Sequence, residues 1–256
     1  MIGRVPSESA ADRPSVVVVM PAYNAARTLA ETWRAIPPDL VDEVLLVDDR
    51  SVDDTLQVAA GLPIRTLALP HNVGYGGNQK TCYLEALRTD AQVIVMLHPD
   101  GQYDPALLPH LIAPIVDDRA DLVLGSRMLV PGDARRGGMP LYRYVSNKAL
   151  TMAENAVLRT DFAELHTGYR AYSRRFLETV PFLRNSNDFV FDTQIIAQAV
   201  AFDQRVVEVP IQTRYHAEAS STSMRANLRY GLGTLAVMAR LALHRSHVMP
   251  SRLFRP

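Results

Sequence analysis

Short apolar runs and amphipathic stretches alternate along most of the chain. Residues 16–20, 44–47 and 93–97 are unbroken runs of aliphatic side chains. Runs of this kind become strands buried on both faces. Residues 64–69, 122–124 and 206–209 add further strand candidates. Between them, residues 27–36 place Leu29, Trp33 and Ile36 at helical spacing, and Pro37-Pro38 closes that helix. Helices are also expected after Ser51 and Asp53, from the glycine-rich turn 72–78 through Arg88, and over residues 105–117. This alternation predicts an α/β fold with a mostly parallel central sheet and helices on both faces. Beyond Arg127 the rhythm changes. Residues 128–139 are rich in Gly, Pro and Arg and read as a mobile loop, and residues 141–158 read as a long helix.

The strand ends carry the candidate chemistry. Pro21-Ala22-Tyr23-Asn24 ends the first strand, and Asp48-Asp49-Arg50-Ser51 ends the second. The run at 93–97 stops in His98-Pro99-Asp100-Gly101-Gln102. On an extended chain, alternate side chains share a face, so His98, Asp100 and Gln102 would emerge together as potential cation ligands. In open α/β sheets, ligands bind beyond the carboxyl ends of the strands. A hard divalent ion held there can neutralise a diphosphate. Adjacent carboxylates at Asp48 and Asp49 suit base or ribose donors, or they only cap the following helix. Asn72-Val73-Gly74-Tyr75-Gly76-Gly77 lacks both the P-loop pattern and the dinucleotide spacing. Lys80, one turn further, faces either a phosphate or sugar, or solvent.

With 256 residues, the chain is long enough for one domain with a large core and an appendage. Its formal net charge is zero, which argues against a nucleic-acid partner. A single cysteine, Cys82, points to a cytoplasmic protein without disulfides. Residues 1–14 are polar, with no signal-peptide pattern, and are expected to form a flexible tail. No apolar stretch reaches the length of a transmembrane helix.

Six motifs stand in a specific order: Pro21-Ala22-Tyr23-Asn24, Val47 to Thr55, Asn72 to Gly76, Asp100 to Pro105, Gly125-Ser126-Arg127 and His166 to Arg170. Over residues 16–223, the chain resembles family 2 glycosyltransferases, most of all their polyprenyl-phosphate (dolichol-phosphate) sugar transferase branch. The resemblance implies a GT-A fold, a UDP- or GDP-linked nucleotide-diphospho-sugar donor, a Mg²⁺ or Mn²⁺ ion, and inversion at the anomeric carbon. It assigns Pro21, Tyr23 and Asp49 to the nucleotide pocket; Asn24, Asp48, Gly74, Lys80, His98, Pro99 and Asp100 join them as donor-side candidates. It assigns the metal to Asp100 and Gln102; His98 is a further candidate ligand from its place in the same strand-end cluster. Arg127, Arg143 and Arg170 would contact the diphosphate or an acceptor phosphate.

Two positions depart from the family. His98 stands where an acid is usual, which would favour Mn²⁺ over Mg²⁺ if its imidazole is a ligand. Asn24-Ala25-Ala26 stands where Asn-Glu-Glu is common. A phosphate acceptor is already anionic, whereas a hydroxyl acceptor requires a base. The candidate bases are Glu164, Asp188 and Asp192, of which Asp188 and Asp192 also suit helix caps. Three outcomes stay open: transfer to a polyprenyl phosphate, transfer to a soluble hydroxyl or amine acceptor, and nucleotide-sugar binding without turnover.

Residues 15–224 are expected to form the GT-A domain, and residues 225–256 a basic amphipathic helix and tail. This last segment holds six arginines and no acid. It suits either an anionic membrane surface, making the protein peripheral at the inner face, or docking on the domain or a second subunit. Arg214 to Ser221 would close over the donor, with His216 either near the metal or on the surface.

Overall fold

The computed structural model describes residues 13–213 and 224–256, the side chains of 224–226 excepted. Strands β1 (Val16–Ala22), β2 (Glu43–Asp48) and β3 (Arg65–Ala68) alternate with helices α1 (Leu29–Arg34) and α2 (Thr55–Ala60). Then come α3 (Tyr75–Leu87), β4 (Val93–Met96), α4 (Leu108–Val116), β5 (Leu122–Ser126), α5 (Asp133–Arg136) and α6 (Leu141–Leu158). The chain continues through β6 (Arg170–Ser173), α7 (Arg174–Thr179), α8 (Phe191–Ala201), β7 (Val206–Pro210) and α9 (Met224–Arg245).

The seven strands form one sheet in the order β3-β2-β1-β4-β6-β5-β7. All neighbours are parallel except β6, which runs antiparallel to both β4 and β5. The expected mostly parallel α/β sheet is present. Alternation on β1 divides the core in two. Val17 and Val19 face one cluster with Tyr83, Phe176 and Phe191. Val16, Val18 and Met20 face another with Leu29, Leu108 and Leu111.

Three local expectations are corrected. β1 does not stop at Pro21 but continues to Ala22. Pairing with β4 ends at Val19↔Met96, so Pro21 has a strand neighbour on one side only, where a missing N–H is tolerated. Residues 128–139 are packed rather than loose: they contain α5, and Met128, Ala134 and Met139 bury together. The strand β6 was not expected at all. Its four residues begin with an arginine, and only its two flanking strands reveal it.

The C-terminal segment docks on the domain. Val237, Met238 and Leu241 of α9, with Leu253 and Phe254, join the core cluster that contains α8. Residues 1–12, most of the expected tail, lie outside the described residues, as do residues 214–223 with His216. Among the described residues, no helix is long and apolar enough to cross a membrane.

Candidate active site

The antiparallel strand builds the site. Arg170 pairs with Met96 of β4 and with Leu124 of β5. The start of β6 therefore lies at the carboxyl ends of its neighbours. The preceding loop, residues 164–169, is delivered to the same edge as the tips of β1, β2 and β4.

At the tip of β1, Tyr23 is 55% exposed and offers a free aromatic face. Asn24 is left-handed, φ 53°. Its Oδ1 accepts from Val52 N at 2.9 Å, and its N–H reaches the Ser51 hydroxyl at 2.9 Å. Asn tolerates this conformation better than most residues.

At the tip of β2, both acids are buried. Asp48 accepts from the Ser51 N–H and hydroxyl. Asp49 accepts from Val73 N at 2.7 Å and from Gly74 N at 3.1 Å. Each carboxylate oxygen is thus already engaged with backbone or hydroxyl donors.

The glycine-rich turn receives protein rather than solvent. Gly76 N donates to the Asn187 carbonyl at 2.8 Å. A Cβ on Gly76 would lie 2.5 Å from Ser186 O and 2.7 Å from Phe191 Cβ. A Cβ on Gly74, φ +84°, would lie 2.6 Å from Asn187 O. The glycines permit close approach of the 186–188 backbone. Lys80 ties down the same segment, donating to the Asn185 carbonyl and, at 2.7 Å, to Asn187 Oδ1. Burial lowers its pKa.

β4 ends at Met96, and Gly101 adopts φ +72°. His98, Asp100 and Gln102 therefore do not lie along one extended face. Asp100 is exposed, and its two oxygens accept from Gln102 N and Nε2, both at 3.0 Å. The His98 ring stacks on Tyr75, centroids 5.6 Å apart, with Nε2 3.3 Å from the Tyr75 hydroxyl. Burial lowers the His98 pKa, against the opposing pull of Asp100 and Asp192. Pro99 is buried, and its carbonyl accepts from Thr28. No group of three or more His, Cys, Asp or Glu side chains converges on a metal position among the described residues. A carboxylate and an amide oxygen at an open strand tip are still hard donors. They fit Mg²⁺ or Mn²⁺ if substrate oxygens complete the shell.

Behind the tips lies a buried polar network. Arg170, 1% exposed, meets Asp192 Oδ1 at 3.1 Å and donates to Thr167 O at 2.8 Å. Asp192 also accepts from the Tyr75 hydroxyl at 2.8 Å and from Gln79 at 3.3 Å. Burial opposes the charge on Arg170, but Asp192 and the surrounding tyrosines outweigh it and raise its pKa. Burial, reinforced by Asp192, raises that of Tyr75.

A second pair stands beside it. Glu164 is fully buried and takes both the Arg127 backbone N–H, at 2.8 Å, and its guanidinium. Arg127 Nη2 also donates to His166 O at 2.8 Å. His166 sits between Glu154 Oε2, 3.0 Å from Nε2, and the Tyr230 hydroxyl, 2.8 Å from Nδ1. It ties α6 and α9 to the loop before β6. Asp188 is exposed and caps its own turn through Val190 N at 3.0 Å. Arg143, half-buried at the start of α6, bonds Tyr142 at 3.2 Å rather than the buried network.

The structure therefore gathers Arg127 with Glu164, and Arg170 with Asp192. It leaves Tyr23, Asp100 and Asp188 open to solvent. Gln79, Glu154 and Tyr230 enter this network without any sequence signal, and Tyr75 had only its place in the glycine-rich motif, with no role of its own. They arrive from α3, α6 and α9, far from their partners along the chain.

Comparison with known proteins agrees with this architecture. The glycosyl transferase family 2 pattern matches residues 17–180. The chain is 30% identical over 206 residues to a polyprenol monophosphomannose synthase of Mycolicibacterium smegmatis, covering 76% of each. It is 29% identical over 204 residues to an undecaprenyl-phosphate mannosyltransferase of Micrococcus luteus, covering 77% of this chain and 82% of that one. Glucosyl-3-phosphoglycerate synthase from Mycobacterium tuberculosis, crystallised with UDP, superposes with a TM-score of 0.71 at 18% identity, covering 94% of this chain and 86% of that one. That likeness is one of fold. A parallel sheet interrupted by one antiparallel strand, with polar loops gathered at the strand tips, is thus the GT-A frame of an enzyme, and the chain belongs to glycosyl transferase family 2.

Proposed function

We propose that the enzyme moves a sugar, with inversion, from a nucleotide-diphospho-sugar to a polyprenyl phosphate at a membrane surface. One observation carries the choice of acceptor. Helices α6 and α9 pack on one another, and each presents an apolar stripe outward. On α6 the stripe is Leu141, Val145 and Met152, 62%, 56% and 69% exposed. On α9 it is Leu228, Leu232 and Leu235, 65%, 60% and 45% exposed. Both follow helical spacing, and Lys148 and Arg229 lie on the same helices. Two stripes of this kind suit a lipid surface, with cations near anionic headgroups. Relatives named for polyprenol and undecaprenyl phosphate support the same acceptor.

The carboxylates support it from another side. Glu164 and Asp192 are each held by an arginine. A phosphate oxygen is a nucleophile without a base, so neither need accept a proton. In this reading Glu164 positions Arg127, and Asp192 positions Arg170 and Tyr75. Asp188 is the base left for a hydroxyl acceptor.

Tyr23, with Pro21 and Asn24, would bind the nucleotide base. Asp48, Asp49 and Gly74 hold the walls of that pocket, and Lys80 braces the 185–187 segment beside it. Asp100 and Gln102 would hold Mg²⁺ or Mn²⁺, which when bound neutralises charge on the leaving diphosphate. Arg127 supplies positive potential at the same edge, and Arg143 is placed on the acceptor side. The acceptor oxygen attacks the anomeric carbon opposite the diphosphate, and the carbon–oxygen bond to the diphosphate breaks. The enzyme acts in the cytoplasm, peripheral at the inner face of the membrane.

The test supplies the purified chain with vesicles containing a polyprenyl phosphate, a panel of UDP- and GDP-sugars, and Mg²⁺ or Mn²⁺. Metal-dependent formation of a polyprenyl-phosphate sugar with inverted anomeric configuration is expected. Leu228→Glu with Leu232→Glu should lower that transfer while leaving nucleotide affinity unchanged. Transfer confined to a soluble hydroxyl, or nucleotide-sugar binding with no transfer, overturns the proposal.

A further inference from the structure

A cavity of about 480 Å³ lies behind residues 184–186, against α8, α9 and the C-terminal segment. Three arginines line it, Arg184, Arg240 and Arg252, and no Asp or Glu does. Arg184 donates through Nη1 to the carbonyls of Arg252 and Arg255, both at 2.7 Å, which fixes the C-terminal segment there. No Asp or Glu pairs with any of the three among the described residues, and Arg184 Nη1 also reaches Pro256 O at 3.5 Å. Arg240 and Arg252 are exposed. Like charges gathered around one cavity repel unless an anion joins them.

Two amides complete the lining. Gln194 accepts from Ser186 N at 2.6 Å through Oε1, which leaves Nε2 as a donor. Asn185 is only 5% exposed. Its Nδ2 donates to Gln198 at 2.9 Å, yet its buried Oδ1 has no hydrogen-bond partner.

We propose that this cavity binds the phosphate group of a phosphate ester, with glycerol 3-phosphate as its simple probe. The arginines take the phosphate oxygens in forked pairs, with Gln194 as a further donor. Either a free metabolite or a phospholipid headgroup offers this chemistry. Occupancy would brace the segment that reaches the candidate active site, where Asn187 O accepts from Gly76 and Phe189 stacks on Tyr75 with centroids 4.5 Å apart. The proposal stands independently of the acceptor assigned above.

The test is calorimetric titration of the full chain with glycerol 3-phosphate and with inorganic phosphate, at constant ionic strength. EDTA is present, so that no cation at Asp100 can hold a phosphate. Saturable binding of glycerol 3-phosphate is expected, weakened at least about tenfold by Arg240→Gln with Arg252→Gln. Among the described residues these exposed side chains make no hydrogen bond, so an unchanged unfolding midpoint is also expected. If only vesicles containing phosphatidylglycerol bind in an Arg240- and Arg252-dependent way, the site is a headgroup site. If only the free ester does, it is a metabolite site. Absence of binding by every probe, or equal binding by the double variant, overturns the proposal.

Discussion

Arg170, buried to 1% exposure, holds the Asp192 carboxylate at 3.1 Å across the gap between β6 and α8. Removing one member of such a pair leaves an uncompensated buried charge, at a cost of about 3–5 kcal/mol. Asp192→Ala should therefore lower the unfolding free energy by about that amount, measured in urea. Asp192→Asn keeps an acceptor for the Tyr75 hydroxyl and should retain transfer within about tenfold. Loss of a general base costs about 10²–10⁴-fold, so a drop of that size at constant folded fraction would make Asp192 the base instead.

Gly168 has its place because of His98. A Cβ on Gly168 would stand 2.9 Å from both Cδ2 and Nε2 of the His98 ring. Gly168→Ala should cost about 1–3 kcal/mol through overpacking. His98→Ser should relieve most of that cost, since it removes the ring that the new methyl meets. A double-mutant cycle reads the coupling, and strict additivity would refute the contact.

Among the described residues Asp100 is the carboxylate at the tip of β4, and it is open to solvent. Asp100→Ala should abolish metal-dependent turnover with the unfolding midpoint unchanged, because its hydrogen bonds go only to Gln102. Unchanged activity would remove Asp100 from the metal site. His98→Asp should shift preference toward Mg²⁺ if the imidazole is a ligand. The stack on Tyr75 gives His98 another role, and identical metal profiles would leave it with that role alone.

Acid stability should depend on Asp121. Arg205 holds its carboxyl below the usual value, burial opposing, with Arg175 adding to the effect. A depressed carboxylate contributes stability above its unfolded pKa, about 3.9, and loses it as pH falls through the lower folded value. The wild-type unfolding midpoint should therefore fall below about pH 4 more steeply than that of Asp121→Asn. Parallel acid limbs would contradict this.

Six of the seven strands among the described residues, most helices and the polar clusters at the strand tips were legible in the sequence. Buried parallel strands are continuous apolar runs, and a polar cluster at the end of such a run is a local signal. The runs at 16–20, 44–47 and 93–97 became β1, β2 and β4, with Tyr23, Asp49 and Asp100 at or just beyond their ends. The family was legible for the same reason: its motifs are short, local and ordered along the chain.

Tertiary structure alone decided where those side chains point. The carboxylates of Asp49, Glu164 and Asp192 read alike in sequence, as acids near a strand or helix end. Folding gave Asp49 to the backbone of the glycine turn, Glu164 to Arg127 and Asp192 to Arg170. Partners tens of residues away made those choices, and no local pattern encodes them. The strand β6 was hidden for the same reason. Four residues beginning with arginine carry too little periodicity to mark a strand, and it exists because β4 and β5 both offer it a ladder. Sequence fixes local conformation through steric and hydrophobic preference. Charge pairing is settled only when burial makes an unpartnered charge too costly to leave.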